Sequence, residues 1–407
     1  MEAAAADRPS AMMPFDPQHF HNEAIKLNNI EVIFGVPDSS LSGLLSYFAA
    51  NKSEPQHVVM ANEGGAVAMA AGYHLATGKV ALCYLQNSGL SNALNPLQSL
   101  AAKEVFGIPM LLMIGWRGKP GIKDEPQHAL IGPRLLDNLK ANDIPFEELP
   151  ETISQSKAVI KRLIARSLVE KTPVAVIVPP GAFTPYTKER DLETRVQYGR
   201  TNVHTVTERR LALEHNNLLS RELVVRGVLA HMAEADVSVS SLGGTSRELY
   251  MVRREKGEAI SSNFFCLGAM GHSFAVANGI RLRPSSGRVF CIDGDGSFLM
   301  HLGNNAVLAD LRQPNLVHVV VFNGVHSSTG NQPLTISRDA FLAAADGLNY
   351  EQKVFVDSVA GLHEALRSLD SRSTLIVAIT NDVASAKLPR PSETARELKD
   401  MFMGDFR

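Results

Sequence analysis

The chain has 407 residues, room for roughly two or three domains, and its 45% hydrophobic and 20% charged residues are the make-up of a globular protein that buries large cores. A formal net charge of −2 argues against nucleic acid or another polyanion as partner, because such binders carry a basic excess. No apolar run reaches the roughly 18 residues of a membrane span, and Cys83, Cys266 and Cys291 form no C-x-x-C pair, the pattern of small buried hydrophobes in a reducing, cytoplasmic compartment.

The first 14 residues open with MEAAAADRPSAMM, which lacks a basic region followed by a continuous apolar one. That is no signal peptide, and its Ala and Ser content predicts a disordered tail. From 15 to 185, apolar runs alternate with helical patterns: EVIFGVP (31–37), HVVMAN (57–62), VALCYLQN (80–87), PMLLMIGW (109–116) and PVAVIVPP (173–180). They are rich in Val, Ile and Leu without polar alternation, as strands of a parallel sheet buried on both faces are. Between them GGAVAMAAGYHLATGK has the Ala and Leu content of a helix that ends at Thr77-Gly78. The stretch 186–217 is polar and charged with no sustained apolar stripe, and reads as a connection.

From 218 to 407 the alternation returns, with VSVSSLGG (237–244), RVFCIDGDG (288–296), LVHVVVFNG (316–324), KVFVDSV (353–359) and STLIVAIT (373–380). The expected fold class is α/β, two doubly wound domains of similar size with mostly parallel sheets. Ligands of such sheets sit beyond the carboxyl ends of the strands. The residues there are unusually polar or glycine-rich: Asp38, Asn62-Glu63-Gly64, Asn87-Ser88-Gly89, Arg117-Gly118, Gly244-Thr245-Ser246, Gly294-Asp295-Gly296-Ser297 and Asn323-Gly324-Val325.

Alone, GDGS is a tight turn with Asp295 capping a helix. The next apolar run ends in Asn323, which adjacent parallel strands would set beside Asp295. A carboxylate, an amide oxygen and a backbone carbonyl make half of the octahedral oxygen shell that Mg2+ prefers. Asp293, two positions earlier, is expected only to shape the strand end.

GDGS followed one strand later by Asn resembles the diphosphate and metal motif of thiamine-diphosphate enzymes. The resemblance implies that Asp295, Asn323 and the Val325 carbonyl hold Mg2+, while Gly244, Thr245, Ser246, Gly294, Gly296 and Ser297 meet the diphosphate. Phe322 stands where that family often has a second Asn or Asp. The resemblance gives Glu63 of ANEGGAVAMAAGYHLATGK the task of sharing a proton with the aminopyrimidine ring, which promotes loss of the thiazolium C2 proton. From the residues alone, Glu63 is equally a carboxylate at a helix N-terminus. CLGAMGHSFAVANG is similar to the segment that runs beneath the cofactor. It contributes Gly268 and, as an apolar wedge, Met270, which is as readily a core gap-filler.

GVPDSSL, QNSGLSNALNPL, IPMLLMIGWRGKPGIKDEPQH, GGTSRELY and NGVHSSTGNQ together resemble the phosphonopyruvate decarboxylases, a short form of the thiamine-dependent 2-oxo acid decarboxylases without the middle domain. The resemblance runs from Phe15 to the C-terminal region, and IGWRGKPGIKDEPQH is its most specific part. Asn331 stands where Gly is expected. The implied activity is a carboxy-lyase reaction of phosphonate biosynthesis, 3-phosphonopyruvate to phosphonoacetaldehyde and CO2, with thiamine diphosphate and Mg2+. A 2-oxo acid with a second anionic group needs local positive charge, and Arg117, Lys119, Lys123 and His128 share one Gly- and Pro-containing loop that can close over substrate. Arg117 and Lys123 are the substrate-binding candidates, with Asn87 and Ser88 as hydrogen-bonding groups. Asp38 and His128 are the candidate proton donors to the fragment left after CO2 departs. Asp38 is equally a helix cap, His128 a loop histidine without a role, and each lysine a solvated surface cation.

Rival readings are a sulfopyruvate decarboxylase, another thiamine-dependent decarboxylase or carboligase, and a non-catalytic nucleotide- or thiamine-binding module. In the family Glu63 and Asp295 serve one cofactor from different chains. That implies a homodimer or homotetramer with active sites between chains.

Overall fold

The structure, a computed structural model, describes residues 13–51, 56–187, 208–214, 219–381 and 388–405. The tail expected over 1–14 lies outside them except for its last two residues, as does most of the connection expected over 186–217.

The ten apolar runs form strands of two parallel sheets, as the pattern predicts. In chain order the first sheet holds β1 (Val32–Gly35), β2 (Gln56–Val59), β3 (Leu82–Gln86), β4 (Met110–Gly115), β5 (Phe146–Glu148) and β6 (Pro173–Val178). They lie side by side as β2-β1-β3-β4-β6-β5. The second sheet holds β7 (Glu208–Ala212), β8 (Val237–Ser240), β9 (Asn263–Phe265), β10 (Val289–Gly294) and β11 (Leu316–Phe322). After a small antiparallel ribbon of β12 (Val325–His326) and β13 (Gln332–Pro333), β14 (Gln352–Val356) and β15 (Thr374–Ile379) complete it. Its order is β7-β14-β15-β11-β10-β8-β9. β7 falls within the stretch read as a connection, yet it pairs in parallel with β14 and forms one edge of the second sheet.

Period-two alternation sorts each strand between two apolar layers. In β4, Met110, Leu112 and Ile114 face a central layer and Leu111 and Met113 an outer one. In β11, Leu316, Val320 and Phe322 face the same central layer, and Val317, Val319 and Val321 a third. The central layer is therefore common to both sheets. It contains two helices, Glu63–Thr77 from the first domain and Ser273–Arg281 from the second.

Glycines let those helices touch backbone to backbone. A Cβ on Gly72 would stand 2.0 Å from the Val276 carbonyl oxygen, and one on Gly279 would stand 2.1 Å from that of Met69. The start of the first helix is also tied to the second domain, because Asn304 Oδ1 accepts the Ala61 and Asn62 N–H groups at 3.1 and 2.9 Å. The helix ends as expected, with Gly78 at φ +70° donating its N–H to the His74 carbonyl at 2.7 Å. The three cysteines are free and buried. Among the described residues no helix is long and apolar enough to cross a membrane.

Candidate active site

In the second domain the carboxyl ends of β8, β10 and β11 open onto a cleft. It is bordered by Gly244, Thr245, Met270, Gly294, Asp295, Gly296, Ser297, Asn323 and Val325, all named by the sequence pattern. Asp295 is the first residue of the helix Asp295–Met300 and is 5% exposed. Its Oδ1 accepts the Gly296 N–H at 2.7 Å, and its Oδ2 accepts those of Asn323 (2.9 Å) and Gly324 (2.7 Å). Gly324 reaches this position at φ +73°, in the left-handed region that favours glycine. Burial raises the Asp295 pKa, and the three N–H groups oppose it only in part. Asn323 lies beside it, with Oδ1 accepting the Val325 N–H at 3.0 Å and the amide donating to Ser327 Oγ at 2.9 Å.

A buried carboxylate that has no ion-pair partner among the described residues, next to an amide oxygen, fits a hard divalent cation. These are the donors Mg2+ takes, and all of them are oxygen.

Two departures from the family pattern have plain structural reasons. Phe322 turns into the core, its ring centroid 4.6 Å from that of Phe341. Asn331 adopts φ +61°, a conformation Gly takes freely and Asn tolerates.

Not every candidate faces the cleft. Ser246 is 3% exposed, and its hydroxyl donates to the Ser241 carbonyl at 2.7 Å, securing the turn after β8. Gly268 lies against the first domain, where an added Cβ would come within 2.6 Å of Ser99. Ser99 Oγ accepts the Ala269 N–H at 2.8 Å and so holds Ala269 at φ +53°, costly for a residue with a Cβ. Ser297 Oγ accepts the Gly271 N–H at 3.0 Å, and between these two anchors Met270 is presented to the cleft. Asp293 is 1% exposed and points away, with Oδ1 accepting the Gly294 N–H at 2.9 Å and Oδ2 3.6 Å from His318 Nε2.

The sequence pattern gives no role to Arg221, Ser241, Leu242, Val321, His326, Ser327 and Ser328, which also border the cleft. His326 sits within NGVHSSTGNQ, directly after Val325, so position alone could have nominated it. Arg221 has no local signature.

The first domain assembles a second constellation at the carboxyl edge of its sheet. Glu63 opens its helix behind Asn62, whose Oδ1 accepts the Gly64 N–H at 2.8 Å. The Glu63 carboxylate reaches the turn after β3. A Cβ on Gly89 there would stand 2.1 Å from Oε1, and Asn92 Nδ2, on the helix Leu90–Pro96 that follows, donates to Oε2 at 2.9 Å. Ser88 in that turn donates its hydroxyl to Gln86 Oε1.

Asp38 is 3% exposed and makes no capping bond, so the cap alternative is not what the fold uses. Its carboxylate accepts Gln86 Nε2 at 3.0 Å and the Ser40 hydroxyl. Asn87 exchanges two hydrogen bonds with the Arg117 backbone, donating to its carbonyl at 2.8 Å and accepting its N–H at 3.1 Å.

Asp124 organises the basic loop. Arg117 places Nε and Nη2 on it at 2.9 and 2.5 Å, Gly118 donates its N–H at 2.6 Å, and His128 Nδ1 lies 3.2 Å away. The Arg117 fork holds the Asp124 carboxyl well below the usual carboxylate range. Arg117 Nη1 also donates to Ser39 Oγ at 2.7 Å. Lys119 is paired with Glu148 at 2.9 Å, while Lys123 is exposed. Asp38, Asn87, Arg117 and His128 thus share one edge, with Glu63 at the neighbouring turn. Among the described residues, none of the first domain borders the cleft around Asp295.

Comparison with known proteins follows this division. The model of the thiamine pyrophosphate enzyme N-terminal TPP binding domain matches residues 22–137, and that of the C-terminal TPP binding domain matches residues 242–379. The phosphonopyruvate decarboxylase of Streptomyces hygroscopicus is 32% identical over 381 residues, covering 92% of this chain and 90% of its own. The sulfopyruvate decarboxylase of Methanosarcina acetivorans is 24% identical, with 96% and 98% covered. Among solved structures, benzoylformate decarboxylase from Polynucleobacter necessarius superposes with a TM-score of 0.67 at 12% identity, over 92% of this chain and 100% of its own, which speaks for the fold alone.

Proposed function

The chain belongs to the phosphonopyruvate decarboxylase family of thiamine-diphosphate enzymes, and from that premise we propose that it converts 3-phosphonopyruvate to phosphonoacetaldehyde and CO2. The observation that carries this reading is a likeness to a phosphonopyruvate decarboxylase that runs the length of both chains. The presence of Glu63 and of the Asp295–Asn323 pair supports it and speaks against a non-catalytic binding module.

In this reading residues 15–185 take the pyrimidine half of the cofactor and residues 218–407, with β7, the diphosphate half. Asp295, Asn323 and the Val325 carbonyl hold Mg2+. When bound, thiamine diphosphate supplies a carbon nucleophile and then a sink for the electrons of the broken C–C bond. Glu63 holds a proton at the aminopyrimidine ring, and the contact with Asn92 fixes the carboxyl. Met270, at the border of the cleft, would offer the cofactor an apolar contact.

On the substrate side, Asp124 already neutralises much of the Arg117 charge, which leaves Lys123 as the exposed cation of the loop for the second anionic group. Asn87 serves by fixing the Arg117 backbone, and Ser88, whose hydroxyl donates to Gln86 Oε1, by holding the turn whose Gly89 lies against Glu63. Asp38 and His128, both buried at the sheet edge, are the groups placed to return a proton after CO2 leaves. We propose a cytoplasmic homodimer or homotetramer in which Glu63 of one chain faces Asp295 of another, since among the described residues none of the first domain borders the cleft.

Sulfopyruvate is the competing substrate, because a sulfopyruvate decarboxylase also matches over nearly the whole chain. Glu63→Gln tests the mechanism. We expect CO2 release to vanish while the unfolding transition stays put; near wild-type turnover in this variant would sink the assignment.

A further inference from the structure

Arg221 begins the helix Arg221–His231 and reaches the cleft from outside every motif described above. Its Nε donates to Glu248 Oε2 at 2.7 Å and its Nη2 to Oε1 at 3.0 Å. Glu248 is fully buried, on the helix Gly244–Glu255. A buried carboxylate needs such a partner, so the fork alone could be an inter-helix tie. Two observations exceed a tie.

First, the fork uses Nε and Nη2 and leaves Nη1 without a hydrogen bond among the described residues, on a side chain that borders the cleft. Second, the guanidinium lies directly over Gly244. A Cβ there would stand 2.4 Å from Nη1 and 2.5 Å from Cζ. Any other residue at Gly244 would displace it, so the guanidinium is held at the start of a twelve-residue helix. That end already carries unsatisfied N–H groups and positive potential. Glu248 neutralises the guanidinium, so what Nη1 adds beside those N–H groups is one more directed donor. Among the described residues Asp295 is the one carboxylate bordering the cleft; it would repel a bare anion, and a divalent cation between the two removes the conflict.

We propose that Arg221, held by Glu248, is a cofactor-binding residue whose Nη1 donates to the metal-bound diphosphate group. This rests on the proposed thiamine-diphosphate reading. Lysine cannot replace it, because one ammonium cannot fork onto Glu248 and still present a fixed donor to the cleft.

The test is calorimetric titration of the full-length protein at saturating Mg2+, with thiamine diphosphate and separately with inorganic pyrophosphate. Arg221→Gln should weaken both ligands about 10- to 100-fold, the worth of one charge-assisted hydrogen bond. Arg221→Lys should lose less, and it carries the test should the Gln variant fail to fold. Glu248→Gln, which loosens the tie but keeps the guanidinium, should lose only a few-fold. Binding within about twofold of wild type in the folded Lys or Gln variant overturns the inference. So does a loss in Glu248→Gln equal to that in Arg221→Lys, which assigns the effect to the tie. Wild-type protein that binds neither ligand overturns this inference together with the cofactor reading.

Discussion

Asp293 and Asp295 are two positions apart on one strand end, and the fold gives them opposite surroundings. Asp295 looks into the cleft and is cradled by three backbone N–H groups, whereas Asp293 is shut behind the sheet edge near His318. Asp295→Asn should cost Mg2+ at least about 100-fold in affinity, since it removes a charged ligand. Asp293→Asn should cost no more than about 10-fold, the range of an indirect neighbour. Its main effect should be a loss of about 1–3 kcal/mol in urea unfolding, from disturbing a buried polar group. Equal losses of metal affinity in calorimetry would contradict the division. The places of Asp295, Asn323 and Glu63 at the carboxyl edges of the sheets were legible because a strand-end motif ties residue types to fixed chain positions. Arg221 was not, because its place at the cleft depends on Glu248, a residue on another helix, and on a glycine that admits the guanidinium. Ser246 and Gly268 sit in the right strings but face the turn and the first domain.

Elements were legible where burial is symmetrical. β4 and β6 are buried at every position, and continuous apolar runs report that directly. β5 (FEE), β7 (ERRLA) and β9 (NFF) escaped, because they close the sheet edges, are short or polar, and offer no run of their own. The crossing of the helices Glu63–Thr77 and Ser273–Arg281 was equally hidden, since it depends on single glycines. An exposed helix-interior Gly→Ala change stabilises by about 0.5–1 kcal/mol. Gly72→Ala should do the reverse here. Its Cβ would enter the space of the Val276 carbonyl, and overpacking of this kind costs about 1–3 kcal/mol. Urea unfolding reads the sign, and a stabilised variant would show that the two helices separate freely.

At the scale of the molecule, three apolar layers enclose two sheets, and the middle layer locks the Glu63 helix to the diphosphate domain. Each chain carries two polar constellations at the edges of separate sheets, around Asp295 and around Glu63. If the halves meet between chains, inactive Glu63→Gln and Asp295→Asn chains, unfolded and reassembled together, should regain on the order of a quarter of wild-type activity, because one site in each mixed dimer is intact. No recovery, with mixed dimers present, would place both residues in a site within one chain. The most direct measurement of the central claim is CO2 release from phosphonopyruvate and from sulfopyruvate, with and without thiamine diphosphate and Mg2+. The account predicts release only when both cofactors are present, with kcat/KM for phosphonopyruvate at least about tenfold higher. No CO2 from either acid, or a preference for sulfopyruvate, would contradict it.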